Sequence, residues 1–142
     1  MVTLMMVSCS GTRPENLGVT DGQLQPCPNT PNCVNSQNAD ESHRIEPLQA
    51  SLAEVKQLLT SMERVTIVKA TESYLHAEFT SKIMRFVDDV EFYFDPDQQV
   101  LHVRSASRLG RSDIGVNRKR IEQIRAALRQ PTLRRNSAHQ WN

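Results

Sequence analysis

RFVDDVEFYFDPDQQVLHVRS, residues 85–105, decides the fold. Apolar and polar residues alternate on both sides of Asp95-Pro96-Asp97-Gln98, and a period of two marks a half-buried strand. Proline presets the second position of a type I turn and aspartate is favoured at the first, so Asp95 is expected opposite Gln98. Phe92 then faces Leu101, Val90 faces Val103 and Asp88 faces Ser105 on one side of the sheet. The other side pairs Tyr93 with Val100, Glu91 with His102 and Asp89 with Arg104. Opposite charges placed directly across a hairpin contribute roughly 0.2 to 1 kcal/mol each, so alternation and charge agree.

Outward from the hairpin, Val65 to Ala70 and Tyr74 to Thr80 carry β-branched or aromatic residues or alternate in polarity, and join Arg85 to Phe94 and Gln99 to Ser105 as strands. Short links favour an antiparallel meander, because parallel crossovers need a dozen or more residues. From Gln49 to Met62 the apolar residues Leu52, Val55, Leu58, Leu59 and Met62 recur at helical spacing. Ser51 followed by Glu54 resembles a capping box. A last helix is predicted over Ile114 to Arg129, with Ile114, Ile121, Ile124 and Leu128 on one face and Ser112 or Asp113 as its cap. Leu75, Ala77 and Phe79 share the apolar side of the sheet, while Tyr74, His76 and Glu78 share the polar one. The predicted fold is therefore α+β and two-layered, a four-stranded antiparallel meander with two helices on one face, in the order α-β-β-β-β-α, behind an irregular N-terminal segment.

The 142 residues have room for one domain. The sequence predicts a partial lipoprotein signal and tether over 1–17, one α+β domain over 18–130 and a polar tail over 131–142. Seventeen Lys and Arg against sixteen Asp and Glu leave a net charge of +1, without the strongly basic face that a nucleic-acid binder shows. No apolar run is long enough for a bilayer-spanning helix.

MVTLMMVSC at the start ends in a small residue and Cys9, which looks like the tail of a bacterial signal whose cysteine is acylated. The run is short for a full signal and no Lys or Arg precedes the cysteine, so an earlier start or an atypical signal is expected, against a plain apolar N-terminus with a free thiol. Acylation would make a membrane the first partner and the cell envelope the compartment, with the domain facing away from the cytoplasm. Cys27 and Cys33 remain as a pair around Pro-Asn-Thr-Pro-Asn. Disulfide is the economical assignment in an oxidising envelope, worth roughly 2 kcal/mol for so small a ring. Unpaired thiols, or a metal or redox role, are the alternatives, although the spacing suits neither zinc nor a Cys-x-x-Cys centre.

Three constellations could carry chemistry. His76, Glu78, Asp89, Glu91, His102 and Arg104 gather on the polar face, where two imidazoles and carboxylates could ligate a metal or exchange protons. The competing reading is a solvated sheet face of paired charges. Asp88 falls by parity among Phe86, Val90 and Phe92, so it must find donors; Ser105, Asn117 and Arg118 are the candidates for anchoring a helix to the sheet there. The segment from Arg104 to Arg118, with Ser105, Ser107, Arg108 and Asn117, leads hydroxyls and guanidinium groups into a helix N-terminus, an arrangement suited to phosphate or carboxylate. It lacks the spacing of a nucleotide-binding loop, and no cofactor is implied.

CPNTPNCVNSQ, FVDDVEFYFD and HVRSASRLGRSDIGVNRKRIEQIR, in that order, resemble the bacterial domain-of-unknown-function family fourteen-ninety-nine over about residues 18–129. Its motif positions fall on Cys27, Pro28, Pro31, Asn32, Cys33, Asp88, Asp89, Glu91, Arg104, Ser105, Ser107, Arg108, Gly110, Asp113, Gly115, Asn117 and Arg118. The resemblance implies a lipoprotein or small membrane-associated protein and brings no reaction with it. The expectation is a lipid-anchored envelope domain that binds or supports, with an envelope protein or a small anion as partner. The alternatives are an anion-binding domain acting through Arg104 to Arg118, or a metal-dependent enzyme using His76, His102, Asp89 and Glu91.

Overall fold

The structure is a computed structural model that describes residues 11–110 and 115–130. Cys9, the predicted caps Ser112 and Asp113, Ile114 and the C-terminal tail lie outside the described residues, and the last helix starts later than predicted, at Val116 with Gly115 (φ 77°) as its N-cap. In chain order the elements are β1 (Val19–Thr20), β2 (Gln23–Leu24), β3 (Cys33–Asn35), α1 (Leu52–Thr60), β4 (Val65–Ala70), β5 (Tyr74–Thr80), β6 (Val87–Asp95), β7 (Val100–Ser107) and α2 (Val116–Leu128). Antiparallel pairing gives a main sheet ordered β3-β7-β6-β5-β4, and β1 with β2 forms a separate small hairpin.

The sheet has five strands where the sequence predicts four. β3 is three residues long, too short to show a period, and it is recruited at the edge: Cys33 pairs with Ala106 and Asn35 with Arg104. α1 begins as its sequence predicts. The Ser51 hydroxyl accepts from the Glu54 N–H at 3.1 Å and the Glu54 carboxylate accepts from the Ser51 N–H at 3.1 Å, satisfying two first-turn donors reciprocally.

The central hairpin has a different register from the one its turn suggests. Asp95 pairs with Val100, not Gln98, so Glu91 faces Arg104, Tyr93 faces His102, Asp89 faces Ala106 and Asp88 faces Ser107. The Asp95 carboxylate causes this by accepting from the N–H groups of Asp97 at 2.8 Å and Gln98 at 3.2 Å. The Asp95 carbonyl meanwhile accepts from the Gln99 N–H at 2.9 Å, with Gln99 at φ 57°. A side-chain-closed turn of this kind lengthens the loop. The displacement is by two residues, so every side chain keeps its face while every partner changes.

One face carries the apolar core. Leu75, Ala77, Phe79, Val90, Phe92, Leu101 and Val103 pack there with Val55, Leu58 and Leu59 of α1, Ile121 and Ile124 of α2, and Val34, Ile45 and Leu48. Asp88 sits on this face, pairing with Phe79 across the strands. Arg120 donates to it at 2.6 Å and stacks 5.0 Å from the Phe79 ring centroid. Arg118, the partner expected from the sequence, points to the carbonyls of Arg44 and Ser42 instead, at 2.6 and 3.0 Å.

The opposite face is covered too, although antiparallel sheets commonly leave one side to water. Residues 11–32 run across it as an irregular strap, making a third layer. His76, Asp89, Glu91, His102 and Arg104 are all buried beneath it, so this face is not the solvated one considered from the sequence.

Asp88→Ala would remove the counter-charge of the Arg120 guanidinium between α2 and the sheet, leaving it the neutral acceptors of Ser105 and Asn117. Urea unfolding is expected to register a loss of about 3–5 kcal/mol, the cost of breaking a buried ion pair. Asp88→Leu combined with Arg120→Met should recover most of it.

Candidate functional site

The strap meets the sheet through charge. Along β5, β6 and β7 alternation sends Tyr74, His76, Glu78, Asp89, Glu91, His102 and Arg104 to the same side, and Arg108 follows in phase. Arg108 donates Nε to Asp89 Oδ2 at 2.8 Å, and Nη2 to Asp89 Oδ1 at 2.9 Å and Glu78 Oε2 at 2.6 Å. His76 donates Nε2 to the same Asp89 at 2.8 Å, and Arg13 of the strap pairs with Glu78. Burial pushes the Asp89 and Glu78 carboxyls upward, but the arginines around both, and His76 beside Asp89, hold them below the ordinary carboxylate values. The Arg108 guanidinium is correspondingly raised, chiefly by its bonds to Asp89. These groups form a closed ion network.

Glu91 and Arg104 form the second cluster, and it is not closed. Glu91 is 0 % exposed, and its Oε2 accepts from Tyr74 Oη at 2.5 Å and from the Gly18 N–H of the strap at 2.7 Å. Burial and then Glu91 itself push the Tyr74 hydroxyl well above its usual range. Glu91 Oε1, however, has no hydrogen-bond partner, and the Arg104 Nη1 facing it is 3.7 Å away. Arg104 is 8 % exposed, its Nη2 reaches the Pro26 carbonyl at only 3.4 Å, and its Nε is unpartnered. Desolvation lowers the Arg104 guanidinium, opposed by Glu91, Asp89 and Tyr74. Such an orphan costs about 1–3 kcal/mol.

Arg104, Asp89 and Arg108 form the floor of a cleft of about 450 Å³. Its walls come from the strap: Pro14, Leu17, Pro26 and Pro28 supply apolar surface, and the Cys27–Cys33 disulfide, with 5.7 Å between Cα atoms, ties the wall to β3. The cleft thus joins one buried, incompletely bonded cation to apolar walls, a combination of polar and apolar lining that suits a small acid chemically.

The residues of the predicted anion site are divided between two faces. Arg104 and Arg108 line the cleft. Ser105 and Asn117 lie behind the sheet, where the Ser105 hydroxyl donates to Asn117 Oδ1 at 2.6 Å. Asn117 Nδ2 reaches Ser107 Oγ at 2.9 Å and the Asn32 carbonyl at 3.1 Å. Arg118 is engaged on the outside of α2. The residues of the metal alternative also diverge: His76 is held on Asp89, whereas His102 lies near the hairpin turn. There Ser36 Oγ, which accepts from the Val103 N–H at 2.9 Å, donates to His102 Nδ1 at 3.0 Å, and His102 Nε2 donates to Gln98 at 3.1 Å. Among the described residues no three His, Cys, Asp or Glu side chains converge as metal ligands. Tyr74, Ser36 and Arg120 were not singled out from the sequence. Tyr74 alone carried a signal, its in-phase position on the polar face.

A histidine clamp fixes the bend of the strap. His43 donates Nε2 to the Thr30 carbonyl at 2.8 Å and Nδ1 to Asp40 at 2.8 Å, so both ring nitrogens act as donors and the ring is held as the cation. The Thr30 carbonyl first, and Asp40 against the cost of burial, raise His43 above 6.5. Ser42 and His43 pull Asp40 down to about 2. His102 shifts the other way, lowered by burial against the Asp95 charge. A raised histidine stabilises fully below its unfolded value and loses that contribution as pH climbs through the folded one. A lowered histidine contributes above the unfolded value and loses that contribution as pH falls through the folded one. NMR titration is expected to place His43 above and His102 below 6.5. In His43→Gln, the part of the stability that declines as pH rises above 6.5 should vanish.

No curated protein and no solved structure matches the chain. The profile of one family, described as protein of unknown function (DUF1499), matches residues 23–128, a span that runs from β2 to the end of α2 and contains Arg104, Glu91, the disulfide and the later part of the strap. The chain therefore belongs to the DUF1499 family of proteins of unknown function.

Proposed function

We propose that this chain is a cell-envelope binding module, tethered to a membrane through lipid on Cys9, that takes a small carboxylate- or phosphate-bearing ligand on Arg104. One observation carries the binding reading: a buried, incompletely hydrogen-bonded guanidinium on a residue that lines a cleft. An acceptor oxygen in the cleft adds a partner to the Arg104 guanidinium, and the flanking prolines and Leu17 cover an apolar remainder. Arg108, already occupied by two carboxylates, holds the floor rigid and is not the primary contact. The disulfide across Cys27 and Cys33 supports an oxidising compartment, and that agrees with a lipidated Cys9.

Calorimetric titration with acetate, succinate, inorganic phosphate and glycerol phosphate tests the ligand class. At least one should bind, and Arg104→Met combined with Glu91→Gln, which strands no buried carboxylate, should weaken it at least about tenfold. Arg118→Ala should leave the affinity unchanged. Silence from all four anions, or equal binding by the Arg104 variant, would sink the cleft assignment.

Intact mass of protein from its native host tests the tether. The expected species carries diacylglyceryl and acyl groups on Cys9, with Cys27 and Cys33 alkylated only after reduction. An unacylated chain with three reactive thiols would refute it.

A further inference from the structure

Seven large hydrophobic side chains are exposed among the described residues: Val19, Val68, Ile83, Met84, Phe86, Leu109 and Val116. Five of them lie at one end of the fold. Ile83, Met84 and Phe86 belong to the β5–β6 turn, which is closed by the Ser81 N–H donating to the Phe86 carbonyl at 2.9 Å. β6 leaves that turn at Val87, whose carbonyl accepts from the Arg108 N–H at 3.4 Å, so Leu109 follows directly alongside. Val116 opens α2 at the same end, because its neighbour Asn117 bonds Ser107 at 2.9 Å and Arg120, one turn on, bonds Asp88 at 2.6 Å.

Ile83 is 85 % exposed and Met84 58 %, and both sit at the tip between Lys82 and Arg85. The turn from Ser81 to Phe86 contains no acidic residue. An aliphatic tip flanked by cations matches a bilayer surface, with apolar side chains in the acyl boundary and the charges among anionic headgroups.

The path of the chain supplies a second, independent observation. Gly11 lies against this end, since a Cβ there would sit 3.1 Å from the Leu109 side chain. Cys9 is two residues earlier, and two residues of extended chain reach at most about 7 Å. A lipid on Cys9 would therefore enter the bilayer beside the same apolar end.

We infer that this end, led by Ile83 and Met84, is a membrane-contact surface for an anionic bilayer, which holds the domain with its β5–β6 turn toward the lipid. The orientation rests on the tether proposed above; the apolar contact does not.

The test compares full-length acylated protein with a Cys9→Ser form, each with and without Ile83→Asp and Met84→Asp. All are sedimented with vesicles of phosphatidylglycerol and phosphatidylethanolamine. Both tip positions are exposed, so thermal unfolding should be unchanged and loss of binding is not loss of fold. The Cys9→Ser form should bind, and the tip substitutions should weaken it at least about tenfold. In the acylated protein, a Trp placed by Met84→Trp should be quenched by brominated lipid, whereas one placed by Val19→Trp should not.

Vesicle binding indifferent to the tip in both forms overturns the contact, even where mass analysis shows lipid on Cys9. Tip-dependent binding without lipid on Cys9 supports the contact and removes the tether. A tip that governs self-association but not vesicle binding also overturns it, since the occupant would then be a second copy of the chain.

Discussion

The strands β5, β6 and β7 are buried on both faces, yet only one face is apolar. Everything else in the structure answers that constraint. On the helix side, burial of Phe92, Leu101, Leu75 and their neighbours is favourable in itself. On the strap side, each ionised group loses its water and must find a partner within the fold. Arg108 settles most of this by spanning Asp89 and Glu78, with Arg13 and His76 closing the remaining edges. The strap adds backbone donors where side chains are lacking, as Gly18 does for Glu91. A network this complete raises the contrast with Arg104, whose donors are only partly used two residues away on the neighbouring strand pair.

The periodic parts of the chain were legible. β4 and β5 have the bounds their alternation predicts, and α1 starts at the serine whose capping box is visible in sequence. Parity also assigned the faces correctly, including the anomalous placement of Asp88 among apolar neighbours. The hairpin register was misread because β-turn preferences describe backbone conformation, whereas here the Asp95 side chain organises the turn. β3 was invisible for another reason: its three residues pair with β7 from some seventy positions away in the chain, and neither propensity nor period can register that. The same distance hid the covering of the polar face, since the strap has no amphipathic pattern and acts through carbonyls, prolines and single side chains.

The site was legible in its chemistry and not in its assembly. Arg104 and Arg108 stood out as cations near a helix entrance, but the alternation along β7 already separated them from Ser105 and Ser107. The sequence reading named Arg118 as a partner of Asp88, and the structure puts Arg120 there. The two flank the Ile121–Ile124 stripe of α2 on opposite sides, and which side faces β6 depends on how the helix crosses the sheet. Arg120 faces inward, while Arg118, together with Arg125, grips the carbonyls of residues 42–47.

The strap also imposes an order in time. Its residues are synthesised before the strands whose charges they cover, with β6 and β7 some seventy residues further along the chain. Local closures need not wait: the turn at Asp21 and Gly22, the Cys27–Cys33 ring and the Thr30–His43–Asp40 clamp each lie within a few residues or a short loop. Docking of Gly18 and Arg13 must wait until β5, β6 and β7 have paired. A segment made early thus waits for strands made much later, and until it docks the carboxylates and arginines of the sheet stay in water, where their ionisation costs nothing. A nascent chain of this design keeps its charged face soluble up to the final step, which seals it.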